Sequence, residues 1–401
     1  MNRLCYDVAI VGGGMGGTAL GGALAAAGLR VVILERERRF RDRVRGEGMH
    51  AWGVPEARAL GIYEPMRDAC GFEVPYSDLY VGDLLRTRRD FIATTPHGSP
   101  LLSVSHPRMQ ETLLEIAGAR GAEIRRGAAV RHIRSGVRPV VTVDQDHWTS
   151  EIEARLVVAA DGRQSATRRW GDFDTAHDPD DRLFTGVLLE GVDVAEDAWL
   201  IVLNPSNGQE SVLCNLGDGR VRVYLGYPRS AGHRFAKPRD LPRFIEECVR
   251  TGVPRAAVEK ARVVGPMASF SSADSWVPHP YSNGIALLGD AASTCDPSFG
   301  QGMALTLRGA RLLHDHLLGS DDWECAANRY AEMQHREFMR VRTLEHWYRT
   351  LFLQTGPDAD MIRVRALPGI EADASRIPDL FGMGPDAAVD EAARQRFFGE
   401  A

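Results

Sequence analysis

The hydrophobic pattern of the first 35 residues predicts a strand, a helix and a second strand. Residues 8–11 and 31–34 are entirely apolar, as is typical of strands that are covered on both faces in a parallel sheet. The segment between them consists largely of Gly and Ala, and it predicts a closely packed helix that Gly28 ends. Together these features indicate a β–α–β unit.

Farther along, the pattern becomes strand-rich and then helical. Residues 40–110 are interrupted by Gly and Pro and predict irregular structure, whereas residues 109–162 predict an amphipathic helix followed by strands. Alternating runs from about 183 to 268 predict a mainly antiparallel sheet. An apolar strand at 284–289 precedes another helix, and the chain is helical and polar from about 320.

These changes of pattern predict a first domain that is interrupted by a second, inserted domain. The first should be α/β, because its strands and helices alternate, and the second should be mainly a β-sheet. The predicted boundaries are 1–180 and 276–318 for the first domain, 181–275 for the inserted sheet and 319–401 for a helical C-terminal region.

Composition narrows the class of protein. Of the 401 residues, 44% are hydrophobic and 25% charged, and the net charge is −6, which is typical of a soluble globular protein and not of a nucleic-acid-binding one. The six cysteines include no CxxC pair and the twelve histidines show no metal-ligand spacing, so we expect reduced thiols, a cytoplasmic location and no metal site. Residues 8–29 lack charge, but their eight glycines argue against a membrane span or a signal peptide.

A glycine motif follows the first predicted strand and opens the predicted helix. Gly12, Gly14 and Gly17 have the GxGxxG spacing that permits a tight turn, close approach to a pyrophosphate and close packing of helix on sheet. Glu35 ends the second strand, where a carboxylate accepts hydrogen bonds from an adenosine ribose. The motif predicts a dinucleotide site, but it does not distinguish NAD from FAD.

Two acidic motifs follow other apolar strands. Asp161–Gly162 and Gly289–Asp290 each close a buried run. Taken singly, each aspartate is equally typical of a turn. Because ligands of open α/β sheets bind at the carboxyl ends of the strands, the three motifs together predict one elongated ligand that spans three strand ends.

With these three motifs in this order, the sequence resembles the FAD-dependent aromatic hydroxylases of the para-hydroxybenzoate hydroxylase type, which are single-component flavoprotein monooxygenases. The resemblance covers most of residues 5–318. It implies an α/β FAD-binding Rossmann-like domain with an inserted, mainly antiparallel β-sheet substrate domain and a helical C-terminal region. It also implies that the glycine motif and Glu35 bind the ADP part of FAD, that Asp161–Gly162 lies near the pyrophosphate and is linked to NAD(P)H use, and that Gly289–Asp290 binds the ribitol.

The resemblance implies further flavin contacts. Pro297 stiffens a loop beside the flavin ring, and Gly300–Gln301–Gly302 exposes N–H groups at a helix start, where they stabilise negative charge on reduced flavin. Val130 matches a position whose backbone faces adenine. The remaining cofactor-binding residues implied by the resemblance are Met15, Gly16, Arg36, Arg43, Arg45 and His106.

Some of these assignments have an alternative or depart from the family pattern. Arg43 and Arg45 match in spacing the family's arginines that touch the flavin and gate its movement, and Arg45 is the better candidate for this contact. The alternative is that both belong to a solvated basic run on the surface. His106 stands where Arg or Gln is common. Further departures, which indicate a divergent subgroup, are Ser293, Asp296, Ala304 and Gly309.

The resemblance implies a reaction in two halves. NAD(P)H, as a transient reductant, reduces the bound FAD; O2 then adds at flavin C4a, and the hydroperoxide hydroxylates an aromatic or other small organic substrate. Tyr224 in the inserted sheet either faces that substrate or simply packs. The sequence identifies no catalytic base, and we expect a monomer or homodimer. An FAD-dependent epoxidase, a prenyl-chain reductase and a non-catalytic FAD-binding protein stay open as alternatives, whereas the WxWxIP segment expected of a flavin halogenase is absent from the sequence.

Overall fold

The computed structural model describes residues 4–44 and 46–400, so that Arg45, a predicted flavin contact, lies outside the described residues. The strands in chain order are β1 (Leu4–Val11), β2 (Val31–Glu35), β3 (Gly48–Met49), β4 (Gly71–Val74), β5 (Tyr76–Val81), β6 (Leu84–Asp90), β7 (Leu101–Val104), β8 (Glu123–Arg126), β9 (Ala129–Arg134), β10 (Val140–Gln145), β11 (Trp148–Ala159), β12 (Ala176–His177), β13 (Arg182–Glu190), β14 (Ala198–Asn204), β15 (Gln209–Asn215), β16 (Arg220–Pro228), β17 (Arg262–Ser271), β18 (Ser275–Trp276), β19 (Tyr281–Ser282), β20 (Ile285–Leu287) and β21 (Ser293–Thr294). The α-helices are α1 (Met15–Ala26), α2 (Gly53–Ala59), α3 (Tyr63–Cys70), α4 (Phe91–Thr94), α5 (His106–Ala119), α6 (Thr167–Trp170), α7 (Leu241–Thr251), α8 (Arg255–Val258), α9 (Gly302–Leu318), α10 (Trp323–Phe352), α11 (Pro357–Ala372), α12 (Leu380–Met383) and α13 (Glu391–Phe398).

The first sheet contains the predicted β–α–β unit, which is confirmed. Its strand order is β19-β20-β11-β1-β2-β8, and all neighbours from β20 to β8 run parallel. Strand β2 and the second half of β1 are fully buried. Helices α1, α5 and α9 contribute to the apolar cluster on one face, and residues of β9 and β10 contribute to the cluster on the other. This two-sided cover explains the uninterrupted apolar runs.

The second sheet covers the first domain's ligand-binding edge. Its order is β17-β13-β16-β15-β14-β5-β6, and its pairs are antiparallel except for β14 with β5. Alternate residues of β16 point to opposite faces. Val223 and Leu225 pack with Phe244 of α7 in one apolar cluster, whereas Arg222 and Tyr224 lie on the other face.

Residues 40–110 are not irregular, and that prediction is wrong. They form strands β3–β7, helices α2–α4 and the first turn of α5. Strands β5 and β6 extend the second sheet, so the sheet draws on residues 76–90 in addition to the predicted 181–275. Strand β6 is mostly exposed and polar because it is the edge strand, and it therefore lacks the apolar alternation by which a strand is predicted.

The C-terminal region is helical, as predicted. Helix α10 packs on α9, and helices α11 and α12 pack on α10. Asp322 caps α10 by accepting a hydrogen bond from the N–H of Cys325 at 3.0 Å. Tyr330, Phe338 and Tyr348 anchor the helix in the core. Within residues 4–44 and 46–400, no helix combines the length and the apolar character that a membrane crossing requires.

Candidate cofactor and substrate site

One cavity of about 1080 Å³ is bounded by the strand ends of the first sheet, the inner face of the second sheet and the C-terminal helices. Its cofactor end, as we call it, is formed by Gly14, Gly162, Arg163, Asp290 and Gly302. The three sequence motifs therefore do meet at one ligand-sized space. Its substrate end is formed by Glu47, Arg89, Phe184, Trp199 and Tyr224.

The glycines of the first motif have two different roles. A Cβ atom on Gly12, whose φ is +105°, would lie 2.3 Å from the Ala160 carbonyl oxygen, and one on Gly17 would lie 2.1 Å from the Gly12 oxygen. These two glycines are required by the fold itself. Gly14 is different, because the nearest atom to its Cβ would be Gln110 Nε2 at 4.0 Å.

Glu35 fixes the glycine turn. Its carboxylate accepts hydrogen bonds from the N–H of Gly13 at 2.7 Å and from the N–H of Glu37 at 2.7 Å. The side chain is buried because α1 and the loop after β2 close over it. Each carboxylate oxygen has lone pairs left for a further donor, so the ribose contact stays a prediction.

Arg168 joins the two acidic motifs and was missed at the sequence level. Its guanidinium donates to the backbone oxygens of Asp290 at 2.6 Å and Ala291 at 2.8 Å. Asp161 holds the start of the same short helix, α6, by accepting hydrogen bonds from the N–H and hydroxyl of Thr167 at 3.2 and 3.0 Å. The sequence feature that could have identified Arg168 is its position seven residues after Asp161.

Asp290 keeps acceptor oxygens available at the cofactor end. It lines the cavity, and the hydrogen bond that it accepts from Arg168 goes to its backbone oxygen and not to its carboxylate. The carboxylate oxygens therefore fit the hydroxyl groups of a ribitol chain. Asp161 is not among the residues that line the cavity, and its buried Oδ1 has no hydrogen-bond partner among the described residues.

The start of α9 forms the opposite wall of the cofactor end. Pro297 begins a short 3₁₀ turn, Gly300 adopts a left-handed φ of +66°, and Gly302 is the first residue of α9. The side chain of Gln301 is structural, since it accepts from Trp52 Nε1 at 2.8 Å and donates to the Phe299 oxygen at 2.6 Å. The Gln301 side chain is therefore engaged within the protein, and the hydrogen-bond donors that the helix start offers a ligand are its backbone N–H groups.

The residues present fit FAD. Gly302 has room for a Cβ atom, whose nearest neighbour would be Cys295 Sγ at 3.8 Å, and Gly14 also has room. Since the protein does not itself require glycine there, the absent side chains leave space for something else. Two helix N-termini, α1 and α9, begin at this space without an acidic residue in their first turns. They suit the anionic pyrophosphate and the reduced flavin ring.

The other predicted contacts are placed as follows. Met15 and Arg43 line the cavity, and Arg43 also pairs with Glu37 at 2.6 Å. His106 lines the cavity and its Nδ1 lies 3.0 Å from the Gly46 oxygen. Gly16 also lines the cavity and packs against Thr306 of α9. Arg36 and Val130 are not among the lining residues, since Arg36 is exposed and Val130 is half-buried in β9.

A buried polar cluster stands at the substrate end. Arg222 pairs with Asp42 at 2.6 Å and with Glu47 at 2.9 Å, and the Tyr224 hydroxyl donates to the Glu47 carboxylate. Burial raises the pKa of Glu47 to about 7, against the lowering effect of Arg222. Val44 lies between the two acids with a left-handed φ of +55°, which is rare for a β-branched residue and marks local strain.

Aromatic rings supply most of the remaining surface there. Tyr224 stacks on Phe184, with ring centroids 5.1 Å apart, and Phe184 contacts Phe270 at 5.9 Å. Gly186 makes this possible, because a Cβ atom on it would lie 2.5 Å from the Tyr224 ring. Tyr224 thus both packs and lines the cavity, so neither sequence alternative is excluded.

An acidic cluster lies behind the loop that carries Pro297. Asp296 caps the 3₁₀ turn by accepting hydrogen bonds from the N–H of Ser298 at 3.0 Å and its hydroxyl at 2.6 Å. Asp274 and Glu345 are buried beside it, with Arg342 at 3.3 Å from Asp274. Burial, followed by the charge of Asp296, raises the pKa of Asp274 to about 7. Burial also raises the pKa of Glu345 well above its ordinary value.

Comparisons with known sequences indicate the family of the chain. The profile of the family described as FAD binding domain matches residues 5–319. The chain is 29% identical over 307 residues to rifampicin monooxygenase of Streptomyces venezuelae, which covers 76% of this chain and 62% of that protein. It is 26% identical over 311 residues to digeranylgeranylglycerophospholipid reductase of Methanothrix thermoacetophila. That alignment covers 74% of this chain and 73% of the reductase. The chain thus spans less than two thirds of the first of these relatives.

A solved structure of similar fold is that of p-nitrophenol 4-monooxygenase PnpA from Pseudomonas putida DLL-E4. The TM-score is 0.81 at 17% identity, with 97% of this chain and 100% of the other covered. At this identity the likeness concerns the fold. The predicted fold class, a Rossmann-like FAD-binding domain with a second sheet and a helical C-terminal region, is confirmed.

Proposed function

The chain belongs to the FAD binding domain family, and on that premise we propose that it is a monooxygenase that oxidises an aromatic or other small organic substrate with NAD(P)H and O2. FAD is its cofactor. The observation that carries the proposal is one continuous cavity, in which the Asp290 carboxylate and two helix N-termini at the cofactor end adjoin aromatic rings at the substrate end. The similarity to rifampicin monooxygenase supports the same reaction class.

The glycine motif, Glu35, Asp290 and the start of α9 would each hold a different part of the cofactor. The N–H groups around Gly14 at the start of α1 would bind the pyrophosphate, and Glu35 the adenosine ribose. Asp290 would accept hydrogen bonds from ribitol hydroxyls, and the N–H of Gly302 would face the flavin ring. The chemistry supplied by bound FAD is acceptance of hydride and activation of O2.

The protein's own task at the reacting end is to position the substrate and exclude water. The stacked pair of Phe184 and Tyr224 forms an apolar wall, and Trp199 forms another part of the surface. Such walls protect a reactive oxygen species from hydrolysis. The buried pair of Tyr224 and Glu47 adds hydrogen-bonding capacity to an otherwise apolar surface.

A prenyl-chain reductase is the second candidate. It is favoured by the similarity to digeranylgeranylglycerophospholipid reductase, which the chain covers more completely than it covers rifampicin monooxygenase. A reductase would use the same cofactor end, but it would consume no O2 and would add no oxygen atom to its product.

Isotope labelling under turnover separates the two candidates. The FAD-loaded protein is supplied with NADPH or NADH, ¹⁸O₂ and a panel of phenols, and the products are analysed by mass spectrometry. The proposal predicts one labelled oxygen atom per product molecule and oxidation of the nucleotide that depends on the phenol. Nucleotide oxidation with no labelled product from any phenol would count against it, and product formation without O2 would favour the reductase. Protein without FAD is the control.

A further inference from the structure

The arginines that line the cavity differ in whether a carboxylate already holds them. Arg89 makes two hydrogen bonds of 2.7 Å to the two carboxylate oxygens of Asp379. Arg43 and Arg88 each pair with a carboxylate at 2.6 Å. Arg163 also lines the cavity, but among the described residues no carboxylate pairs with it. Arg163 therefore has a positive charge to offer a ligand.

The guanidinium of Arg163 also has hydrogen-bond donors to offer. An arginine side chain carries five N–H donors. The one hydrogen bond that this guanidinium donates to the described residues runs from Nη1 to the Ser271 oxygen at 2.9 Å. Burial lowers the pKa of the neighbouring Arg168 guanidinium, and the charge of Arg163 lowers it further. An anion beside Arg163 would relieve this repulsion between two cations.

The side chain of Arg163 is directed toward the second sheet, at the border between the two ends of the cavity. Its guanidinium carbon lies 5.7 Å from the centroid of the Phe270 ring, and its hydrogen bond goes to Ser271, the next residue of β17. Phe270 contacts Phe184, which stacks on Tyr224, with centroid distances of 5.9 and 5.1 Å. Arg163 therefore stands at one end of this aromatic wall and Tyr224 at the other.

We propose that Arg163 anchors the substrate through an anionic substituent, and that this substituent is a carboxylate on an aromatic ring. The inference rests on the proposed function and names its substrate class, an aromatic acid that also carries a hydroxyl group. A ring that stacks on Phe270 and Phe184 brings its carboxylate to Arg163, which can hold it through two parallel hydrogen bonds. The Tyr224–Glu47 pair offers the hydroxyl group a partner at the other end of the wall.

Matched ligand pairs test the proposal without turnover. Hydroxynaphthoate and hydroxybenzoate are each compared with their methyl esters, and binding to the FAD-loaded protein is followed by the change in flavin absorbance. Each acid that binds should bind about tenfold more tightly than its ester, a ratio that corresponds to 1.4 kcal/mol. Equal or tighter binding of the esters, or failure of both acids to bind, would overturn the proposal.

Substitution of Arg163 isolates its role. Arg163→Met removes the charge and keeps a side chain that packs on an aromatic ring. This variant should bind the acids about tenfold more weakly than the wild type does and the esters equally well. Arg163→Lys keeps the charge without the planar fork and should retain part of the preference. Arg169→Met, at an exposed position of α6, is the matched control and should behave as the wild type. Wild-type preference for the acids in Arg163→Met would overturn the proposal.

The competing anion is the pyrophosphate of the cofactor. The N–H groups around Gly14 at the start of α1 are expected to bind it, whereas the guanidinium of Arg163 lies against β17. The ratio of flavin to protein absorbance in purified Arg163→Met separates the two anions. A wild-type ratio is expected, and loss of FAD would assign Arg163 to the pyrophosphate and overturn its role as the substrate anchor.

The outcomes separate this inference from the proposed function. Binding of an acid that depends on Arg163, in a protein that never labels the acid with ¹⁸O, would contradict the monooxygenase reaction and leave the anchor standing. Labelling of an ester in preference to its acid would confirm the reaction and overturn the anchor.

Discussion

The two ends of the cavity differ in how their charged side chains are paired. At the cofactor end, Asp290 lines the cavity and accepts the hydrogen bond from Arg168 through its backbone oxygen, not through its carboxylate. At the substrate end, Arg222 bridges two acids and Arg89 holds Asp379 through two hydrogen bonds. The first end therefore offers a ligand an unpaired carboxylate, whereas these charged side chains of the second end pair with one another.

This difference follows from what each end has to bind. A cofactor that is always the same molecule brings its own donors and negative charge, so the protein leaves matching groups unpaired. At the substrate end, by contrast, buried charges face each other, and a buried charge that loses its partner is costly. Substitutions at the cofactor end should therefore act on FAD binding, and those at the substrate end on the stability of the protein itself.

The largest effect is expected from Gly302→Val. The substitution inserts a branched side chain at the start of α9, where the protein leaves space and the flavin is expected to lie. The purified variant should retain no FAD, as measured by the flavin-to-protein absorbance ratio, and Gly302→Ala should weaken binding less. Gly118→Ala in α5, where a Cβ atom would meet only Ile124 at 3.4 Å, is the control and should keep its FAD. Full FAD occupancy in Gly302→Val would contradict the expectation that the flavin lies against the start of α9.

Arg222→Met should strongly destabilise the protein. It leaves the fully buried Glu47 and the partly buried Asp42 without their cation, and removing one member of a buried ion pair costs about 3–5 kcal/mol. The free energy of unfolding is measured by urea denaturation of the FAD-free protein. Glu47→Gln added to Arg222→Met should recover part of the loss, because it removes one unpaired charge. Wild-type stability in Arg222→Met would contradict internal pairing at this end.

Asp290→Ala should weaken FAD binding and leave the stability of the FAD-free protein nearly unchanged. Because the carboxylate has no hydrogen-bond partner among the described residues, the free energy of unfolding without FAD should change by less than about 0.5 kcal/mol. The affinity for FAD, measured by fluorescence titration, should fall about tenfold or more, since hydrogen bonds to a charged group are worth about 1.5–3 kcal/mol. A loss of unfolding free energy as large as that of Arg222→Met would show that Asp290 stabilises the protein itself, and it would contradict the difference between the two ends.

The acidic cluster behind the Pro297 loop should make the stability of the protein depend on pH. The pKa of Asp274 rises from its ordinary 3.8 to about 7 on folding, so its stabilising contribution is present below about pH 4 and is lost as the pH rises through 7. The unfolding free energy of the wild type relative to Asp274→Asn should therefore fall by more than about 1 kcal/mol across that window. Asp178, Asp296, Glu345 and Arg342 face this carboxyl and are left intact. Parallel pH profiles would show that Asp274 does not titrate there.

The cofactor end could be predicted from the sequence because its signals are local. Gly12, Gly14 and Gly17 lie within six residues, and each acidic motif directly follows an apolar run. Arg168 lies only a few residues after Asp161. Its hydrogen-bond partner Asp290, however, is 122 residues farther along the chain. No local pattern records such a pairing.

The substrate end could not be predicted for the same reason. Tyr224 and Glu47 are 177 residues apart, and Asp379 and Arg89 are 290 apart. The strain at Val44 is set by the packing around it and leaves no mark on the sequence. Strand β6 escaped prediction because an exposed edge strand needs no apolar face.

The most direct test of the central claim is an anaerobic titration of the FAD-loaded protein with NADH and with NADPH, followed by flavin absorbance in the presence and absence of a phenol. The account predicts that one of the nucleotides bleaches the flavin, that the phenol accelerates the bleaching, and that the oxidised spectrum returns when O2 is admitted. A protein that holds no FAD, or a bound flavin that neither nucleotide reduces with any phenol, would contradict it.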